Sequence, residues 1–420
     1  MNVLIVAPVE GGSGETVTAR YLGRSLVQRG HRVHFAASPF AAAFLSGDFA
    51  DALTVLGLDG PENVETWTRL RRDFRADAIV FADYPLMFLR TGVVPLAAEP
   101  GWEEALCDSD ACLVTLDHFG FAQREMGIFM GPPHLCHAYH RFRPIPPRMK
   151  IMLPCPMHEP DSVEGRKGSP FRYWDVPLSI PDAERNAARL ELGCDADEFV
   201  VLHIVSKWAW ESVESYGLSF YRHLGELLHA YLSSVGRRVR IVALNNGSLL
   251  QPRSGNGVEL VNIQQLAPAQ FDKLLLSADL LLTENRVSIS MGKAVCGLRP
   301  AAVLKNSYGI LDLLDRCEAG VRKVVLAMEQ DRPGTVFPYD CYPTDTGGLL
   351  EEIVLYKDNS LTRAFAELEV FGGADTAERI AGLLNGEAER GALREHQQRY
   401  VDRLGRVADG ASVLEALVAA

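Results

Sequence analysis

The chain has 420 residues, 47% of them hydrophobic, enough to bury more than one core and to suggest two or three domains. A formal net charge of −12 argues against binding a nucleic-acid backbone, which needs a basic surface, and leaves room only for a local basic pocket. An N-terminus without a basic region, no apolar run approaching about 20 residues, and eight scattered cysteines predict a cytoplasmic chain with reduced thiols and no membrane insertion.

In chain order, apolar runs predict strands at 3–7, 33–37, 78–82, 111–116 and 149–153. A helix over 16–29 carries Val17, Tyr21, Leu22 and Leu26 on one side. Near-continuous apolar strands alternating with helices predict parallel sheets covered on both faces. Residues 154–182, rich in proline, glycine and charge, read as an irregular connection. The alternation then restarts with a helix near 183–192, a strand at 199–205, a helix near 214–235 and strands at 239–244 and 258–263. A helix opened by Ala267-Pro268, a strand at 279–283, a helix from about Ser288 and a strand at 301–305 follow. The tail over 376–420 reads as mainly helical. The fold class is therefore α/β, with two Rossmann-like domains, 1–180 and 181–375. Ligands in such sheets bind beyond the carboxyl ends of the strands. Two independent modules without a shared site are the plainer alternative.

The stretch "EGGSGET", residues 10–16, joins the first strand to the first helix, where a glycine-rich turn usually receives a phosphate. A P-loop needs lysine, and both of its lysine positions hold glutamate, Glu10 and Glu15, which would repel a triphosphate. A dinucleotide fingerprint fails as well, because its third glycine would fall at Val17. "GGSGETVTARYLGRSLVQRGHRV" instead resembles the opening of GT-B glycosyltransferases, among them the peptidoglycan N-acetylglucosaminyltransferase and the macrolide and plant enzymes. Their first loop ends in Gly-His, and Glu15 stands where that histidine would. The resemblance implies two domains facing across a cleft, with Glu15 as general base toward an acceptor and Gly12, Ser13 and Gly14 beside the donor. A helix start helps to keep such a carboxylate ionised, although a first-turn acid is also a common plain stabiliser. Glu10 and Asp117 are further catalytic candidates, and Asp83, His118 and Phe119 are candidates for acceptor contact. Asp83 and Asp117 each follow a predicted strand.

In the second half, "HIVSKWAWE" follows the first strand, and by the same resemblance Ser206 and Lys207 would serve the donor diphosphate. "LLTENRVSISMGKAVCGLRPAAVLKNS" resembles the GT-B donor segment, in which backbone N–H groups at a helix start hold the diphosphate. It implies donor contacts at Glu284, Ser288, Ser290, Met291 and Gly292, with Lys293 as charge partner. Simple helix capping by the serines is the plainer reading. The E-x7-E motif of retaining members is absent, since Gly292 stands eight residues after Glu284, which favours inversion. Without a DxD motif no catalytic metal is expected. His134, Cys136, His137 and His140 offer zinc-type donors, yet fit none of the usual spacings, so an acceptor-pocket or packing role is preferred.

"APVEGGSGETVTARYL" and the 283–307 segment further resemble cytosylglucuronate synthase and its relatives in bacterial nucleoside-antibiotic pathways. That resemblance implies UDP-glucuronate as donor, cytosine as acceptor, and no cofactor beyond the nucleotide-sugar co-substrate. Lys293, Arg286 or Arg299 would meet the donor carboxylate; Trp208, Trp210, Phe119 and Asp117 are available for cytosine. As in similar proteins, the 376–420 tail would pack near the hinge. A homodimer is compatible with the sequence. The alternatives are a non-catalytic GT-B homologue that binds a nucleotide sugar or a partner enzyme, and a UDP-sugar 2-epimerase.

Overall fold

The computed structural model describes residues 1–7, 14–57, 62–88, 102–122, 127–130, 138–141, 143–161, 165–244, 250–264, 266–340, 343 and 359–420. The first half runs β1 (Asn2–Ala7), α1 (Gly14–Gln28), β2 (Arg32–Ala37), α2 (Pro39–Phe49), β3 (Leu53–Val55) and α3 (Glu62–Phe74). It continues through β4 (Ala78–Phe81), α4 (Trp102–Cys107), β5 (Cys112–Leu116), the hairpin β6 (Gly127–Met130) and β7 (Ala138–Arg141), β8 (Lys150–Cys155) and β9 (Ser169–Arg172). The second half opens with α5 (Asp182–Glu191), β10 (Phe199–Ile204), α6 (Lys207–Ser215), α7 (Phe220–Leu232) and β11 (Val239–Leu244). Next come β12 (Arg253–Gly255), β13 (Val258–Ile263), α8 (Pro268–Ser277), β14 (Leu280–Thr283), α9 (Ile289–Cys296) and β15 (Ala301–Lys305). The chain ends with α10 (Ile310–Arg316), α11 (Ala319–Asp331), β16 (Ala366–Glu369), α12 (Ala374–Asn385), α13 (Glu387–Leu404) and α14 (Gly410–Ala419).

The strands form two seven-stranded sheets, ordered β3-β2-β1-β4-β5-β8-β9 and β12-β13-β11-β10-β14-β15-β16. Within these two sheets every described pairing is parallel except β12 with β13. The central strands are buried along most of their length, as β1, β4, β10 and β14 show. This is what near-continuous apolar runs produce when helices cover both faces of a sheet. In the first sheet the winding direction reverses between β1 and β4, and in the second between β10 and β14. These two switch points are where ligands bind in such folds.

Three features depart from the sequence expectation. The helix expected over 214–235 is two helices, α6 and α7, because Gly217 takes φ +66°, a conformation that ends a helix. β9 lies inside the supposedly irregular 154–182 connection, where a proline-containing edge strand pairs with β8. The edge strands β3, β12 and β16 went unread, since each is short and at most partly buried.

One apolar cluster covers the outer face of the first sheet, with Trp67, Phe81 and Tyr84 at its centre. A second lies under α7 and α11 in the second half. The third is shared: it runs from Leu22 and Phe35 through Cys155, Phe171 and Trp174 to Met291, Cys296 and Val303, and takes in Tyr400, Leu404 and Leu414 of the last two helices. Burial of this shared surface at about 25 cal/mol per Å² holds the halves together. Helix α13 adds polar ties: Tyr400 donates to the Pro156 carbonyl at 3.1 Å and Arg403 meets Glu159 at 2.5 Å. Among the described residues no helix is long and apolar enough to cross a membrane.

Candidate active site

Three adjacent strands of the first sheet end at one mouth. Glu15 enters from the start of α1 after β1, Asp83 follows β4, and Asp117-His118 follow β5. Asp83 is fully buried. Its Oδ1 accepts the Leu86 N–H at 3.1 Å, while Oδ2 accepts the His118 N–H and faces His118 Nδ1, both at 3.3 Å. Burial outweighs those two backbone bonds and pushes the Asp83 carboxyl up to about 8. The His118 imidazole is buried too, and burial lowers its pKa against the pull of Glu15 and Asp117. Among the described residues its Nε2 has no hydrogen-bond partner. Glu15 is half-buried; desolvation raises its pKa, His118 opposes the shift, and the Asp83 charge adds to it. A carboxylate, an imidazole and a second carboxylate are thus coupled at the switch point.

Asp117 does different work. Its Oδ1 accepts the N–H groups of Gly120 and Phe121 at 2.8 and 2.9 Å, and its Oδ2 accepts that of Ala122 at 2.9 Å. The carboxylate therefore folds the 117–122 turn that presents His118. Burial, with the nearby Asp83, pushes it up to about 6. His158, which sequence reading left without a role, donates from Nε2 to the Asp117 carbonyl, and burial pushes its pKa down to about 3, so it stands neutral. Phe119 is half-buried with its ring 5.7 Å from that of Phe121. Glu10, Gly12 and Ser13 lie outside the described residues, as do His134, Cys136, His137 and the side chain of His140. Among the described residues no group of His, Cys, Asp and Glu is arranged to hold a metal ion.

The mouth of the second sheet is built from the starts of α6 and α9, which follow the adjacent strands β10 and β14. Asn285, which sequence reading missed, organises it. Its N–H donates to Thr283 Oγ1 at 3.1 Å, its Oδ1 accepts the Val287 N–H at 3.1 Å, and its Nδ2 reaches Ser206 Oγ at 3.5 Å. The two helix starts are thereby bridged. Ser288 caps α9 by accepting the Ser290 N–H at 3.1 Å, and Ser288, Ile289 and Ser290 stay half-exposed at that start. Lys207 opens α6, with its side chain outside the described residues, as is that of Trp208. Trp210 is half-buried and packs against the core under α7.

The remaining donor candidates point inward. Glu284 is fully buried and accepts from Tyr221 at 2.5 Å, with His203 Nε2 at 3.1 Å from its other oxygen. Met291 is fully buried, and Gly292 lies against Pro156. Lys293 is buried and pairs with Asp272, while Arg286 pairs with Glu367 at 2.8 Å. The two mouths meet at Gly14, where an added Cβ would stand 3.3 Å from Ile289 Cδ1.

The sequence profile of the family of unknown function DUF6365 matches residues 22–420. The chain is a DUF6365 protein. No curated protein sequence matches it. In structure, this DUF6365 chain is similar to the spinosyn forosaminyltransferase SpnP, at 13% identity over 100% of both chains with a TM-score of 0.53. It is also similar to the glycosyltransferase VinC in complex with DTDP, at 12% identity over 100% of this chain and 99% of that one, TM-score 0.52. A third likeness is to Arabidopsis thaliana UGT89C1 complexed with quercetin, at 14% identity over 99% and 98% of the two chains, TM-score 0.51. The DUF6365 protein therefore has the GT-B fold along its whole length.

Proposed function

We propose that this protein is an inverting glycosyltransferase that moves a sugar from a nucleoside diphosphate to a small acceptor in natural-product biosynthesis. The observation that carries this reading is the pairing of a buried acid–imidazole group at one switch point with two bridged helix starts at the other. Residues 1–180 would receive the acceptor, 181–375 the donor, and 376–420 would tie the two. The acceptor's nucleophilic atom attacks the anomeric carbon while the bond from that carbon to the diphosphate oxygen breaks. The acceptor's proton passes to the Glu15–His118–Asp83 group. Within it, His118 Nε2 has no partner among the described residues and Nδ1 faces Asp83, an arrangement suited to accepting a proton and stabilising the resulting charge. The negative charge developing on the diphosphate falls at the N-termini of α6 and α9, which favour anions.

UDP-glucuronate as donor and cytosine as acceptor are the finer proposal, and they rest on the sequence resemblance alone. Of the cations that could meet a glucuronate carboxylate, Lys293 and Arg286 already carry Asp272 and Glu367. The donor sugar is therefore best settled by calorimetry with UDP, UDP-glucuronate, UDP-glucose, TDP-glucose and ATP, followed by turnover with cytosine. Binding of a UDP or TDP compound with inversion at the anomeric carbon is expected. With Glu15→Gln or His118→Asn, turnover should fall by about 10²–10⁴ while UDP affinity stays unchanged. Binding of ATP alone would overturn the reading, and so would donor binding without turnover across a broad acceptor panel.

A further inference from the structure

Helix α9 carries the donor-side helix start, and one of its faces is seated on the other half of the molecule. Ile289 meets Gly14, Gly292 is pressed against Pro156, Lys293 lies over Tyr21, and the Cys296 carbonyl accepts the Leu178 N–H at 2.8 Å. These positions are spaced i, i+3, i+4 and i+7, a single stripe along the helix. Three of the four make close, plain packing or backbone contacts. Lys293 is the exception, a buried cation in the middle of an interface.

Its surroundings come from three separate parts of the chain. The ammonium lies 5.2 Å from the Tyr21 ring of α1, 5.7 Å from the Trp174 ring of the connection after β9, and 5.4 Å from the Phe271 ring of α8. These distances are within the roughly 6 Å at which a ring face attracts a cation. Asp272 of α8 pairs with the ammonium through Oδ1, and its Oδ2 accepts the Tyr21 hydroxyl at 2.8 Å. The Lys293 side chain is only 5% exposed. Replacing a buried ion pair of this kind with apolar groups often leaves stability unchanged, and its best-attested use is to fix register between packed helices.

We propose that Lys293, caged by Tyr21, Trp174, Phe271 and Asp272, is a positioning residue that sets the register of α9 against α1. It thereby fixes where the donor-side helix start stands relative to Glu15. A one-residue slip along the stripe would put Gly292 out of reach of Pro156 and part Ile289 from Gly14. Small apolar contacts alone tolerate such slips; an ammonium that needs both its rings and its carboxylate does not. The donor role of that helix start rests on the glycosyltransferase reading, whereas the register itself does not depend on it.

The test is Lys293→Met/Asp272→Asn, which removes both charges at nearly constant volume, alongside the milder Tyr21→Phe. Amide hydrogen exchange, thermal melting and UDP affinity by calorimetry are read on the full chain. The melting temperature of the double variant is expected within a few degrees of the parent, with exchange accelerated in α1 and α9 but not in β10 or β14. UDP binding is expected to weaken about tenfold. Tyr21→Phe should move the same segments, less far. Unchanged exchange in α9 in both variants overturns the proposal. So does acceleration throughout both halves with a large fall in melting temperature, which would make the cage an ordinary stabilising contact. Should UDP fail to bind the parent chain, the donor reading fails, and exchange in α1 and α9 still decides the register.

Discussion

Asp83 and Asp117 end neighbouring strands, and both are buried, yet they respond to pH through different partners. Asp83 is raised from 3.8 to about 8 and Asp117 from 3.8 to about 6. Each folded-state pKa lies above its unfolded value, so the stability it contributes is full below about pH 4 and lost as pH rises through 6 and then 8. His158 has the opposite sign: its pKa falls from 6.5 to about 3, so its contribution is present above 6.5 and lost as pH drops toward 3. Thermal melting should therefore peak in mildly acidic buffer, and Asp83→Asn should flatten the alkaline fall while leaving the acid limb in place. Activity has its own sign, because the accepting group must first lose its proton. The rate kcat/KM should rise with pH with an inflection near 8 in the parent chain and level off above it, and the inflection should be displaced in Asp83→Asn. Asp83 and Asp117-His118 were legible in sequence because they follow apolar strands, and Glu15 because it closes the glycine-rich loop where the resembling enzymes carry a histidine. The pairing of Asp83 with His118 was not, since it depends on β4 and β5 being neighbours. Asn285 and His158 stand in no spacing pattern, and only their bonds to Ser206 and to the Asp117 carbonyl reveal them.

At the scale of elements, α9 divides its residues between an open helix start and a packed face. Its start is half-exposed and forms the proposed donor side, and its stripe of 289, 292, 293 and 296 is committed to the opposite half. A Cβ on Gly292 would stand 2.5 Å from Pro156 Cγ, a rigid ring atom that cannot swing aside. Gly292→Ala should therefore destabilise the chain by about 1–3 kcal/mol through overpacking, which urea denaturation would measure, whereas Gly320→Ala in α11, where nothing crowds the position, should not. The sequence showed this helix and its serine cap, but Gly292 and Lys293 looked like donor contacts there. A helix that touches a second sheet has two candidate partners, and periodicity within the helix cannot say which of them a given side meets. Short edge strands escaped for a related reason: with one neighbour and partial burial, β3 and β16 carry little apolar signal.

Across the whole molecule, the sequence fold class and the structure agree because both sheets repeat the same strand–helix alternation. The shared core could not have been read in that way, since it joins residues as distant as Leu22 and Leu414. Helix α14 packs on α1 and β9, with Gly410 pressed against Leu22 and Phe171. Asp409 and Glu415 hold Arg29 at 2.9 and 3.0 Å, and Glu415 also meets His31 at 2.7 Å. Deleting residues 406–420 should uncover Leu22 and Phe171 and lower the melting temperature by about 5 °C or more. Scanning calorimetry would measure that loss, and circular dichroism would check that both sheets persist.

The position of α14 also has a consequence for the order of events at the ribosome. The first sheet is complete in sequence once β9 has been made, but the helix that covers α1 and β9 is synthesised only after the second sheet. The whole second sheet is translated in between, which at about 5–20 residues per second takes on the order of ten seconds or longer. During that interval Leu22 and Phe171 have no permanent cover. The nascent first half must wait beside the ribosome with an open apolar seam until α14 emerges and closes over it.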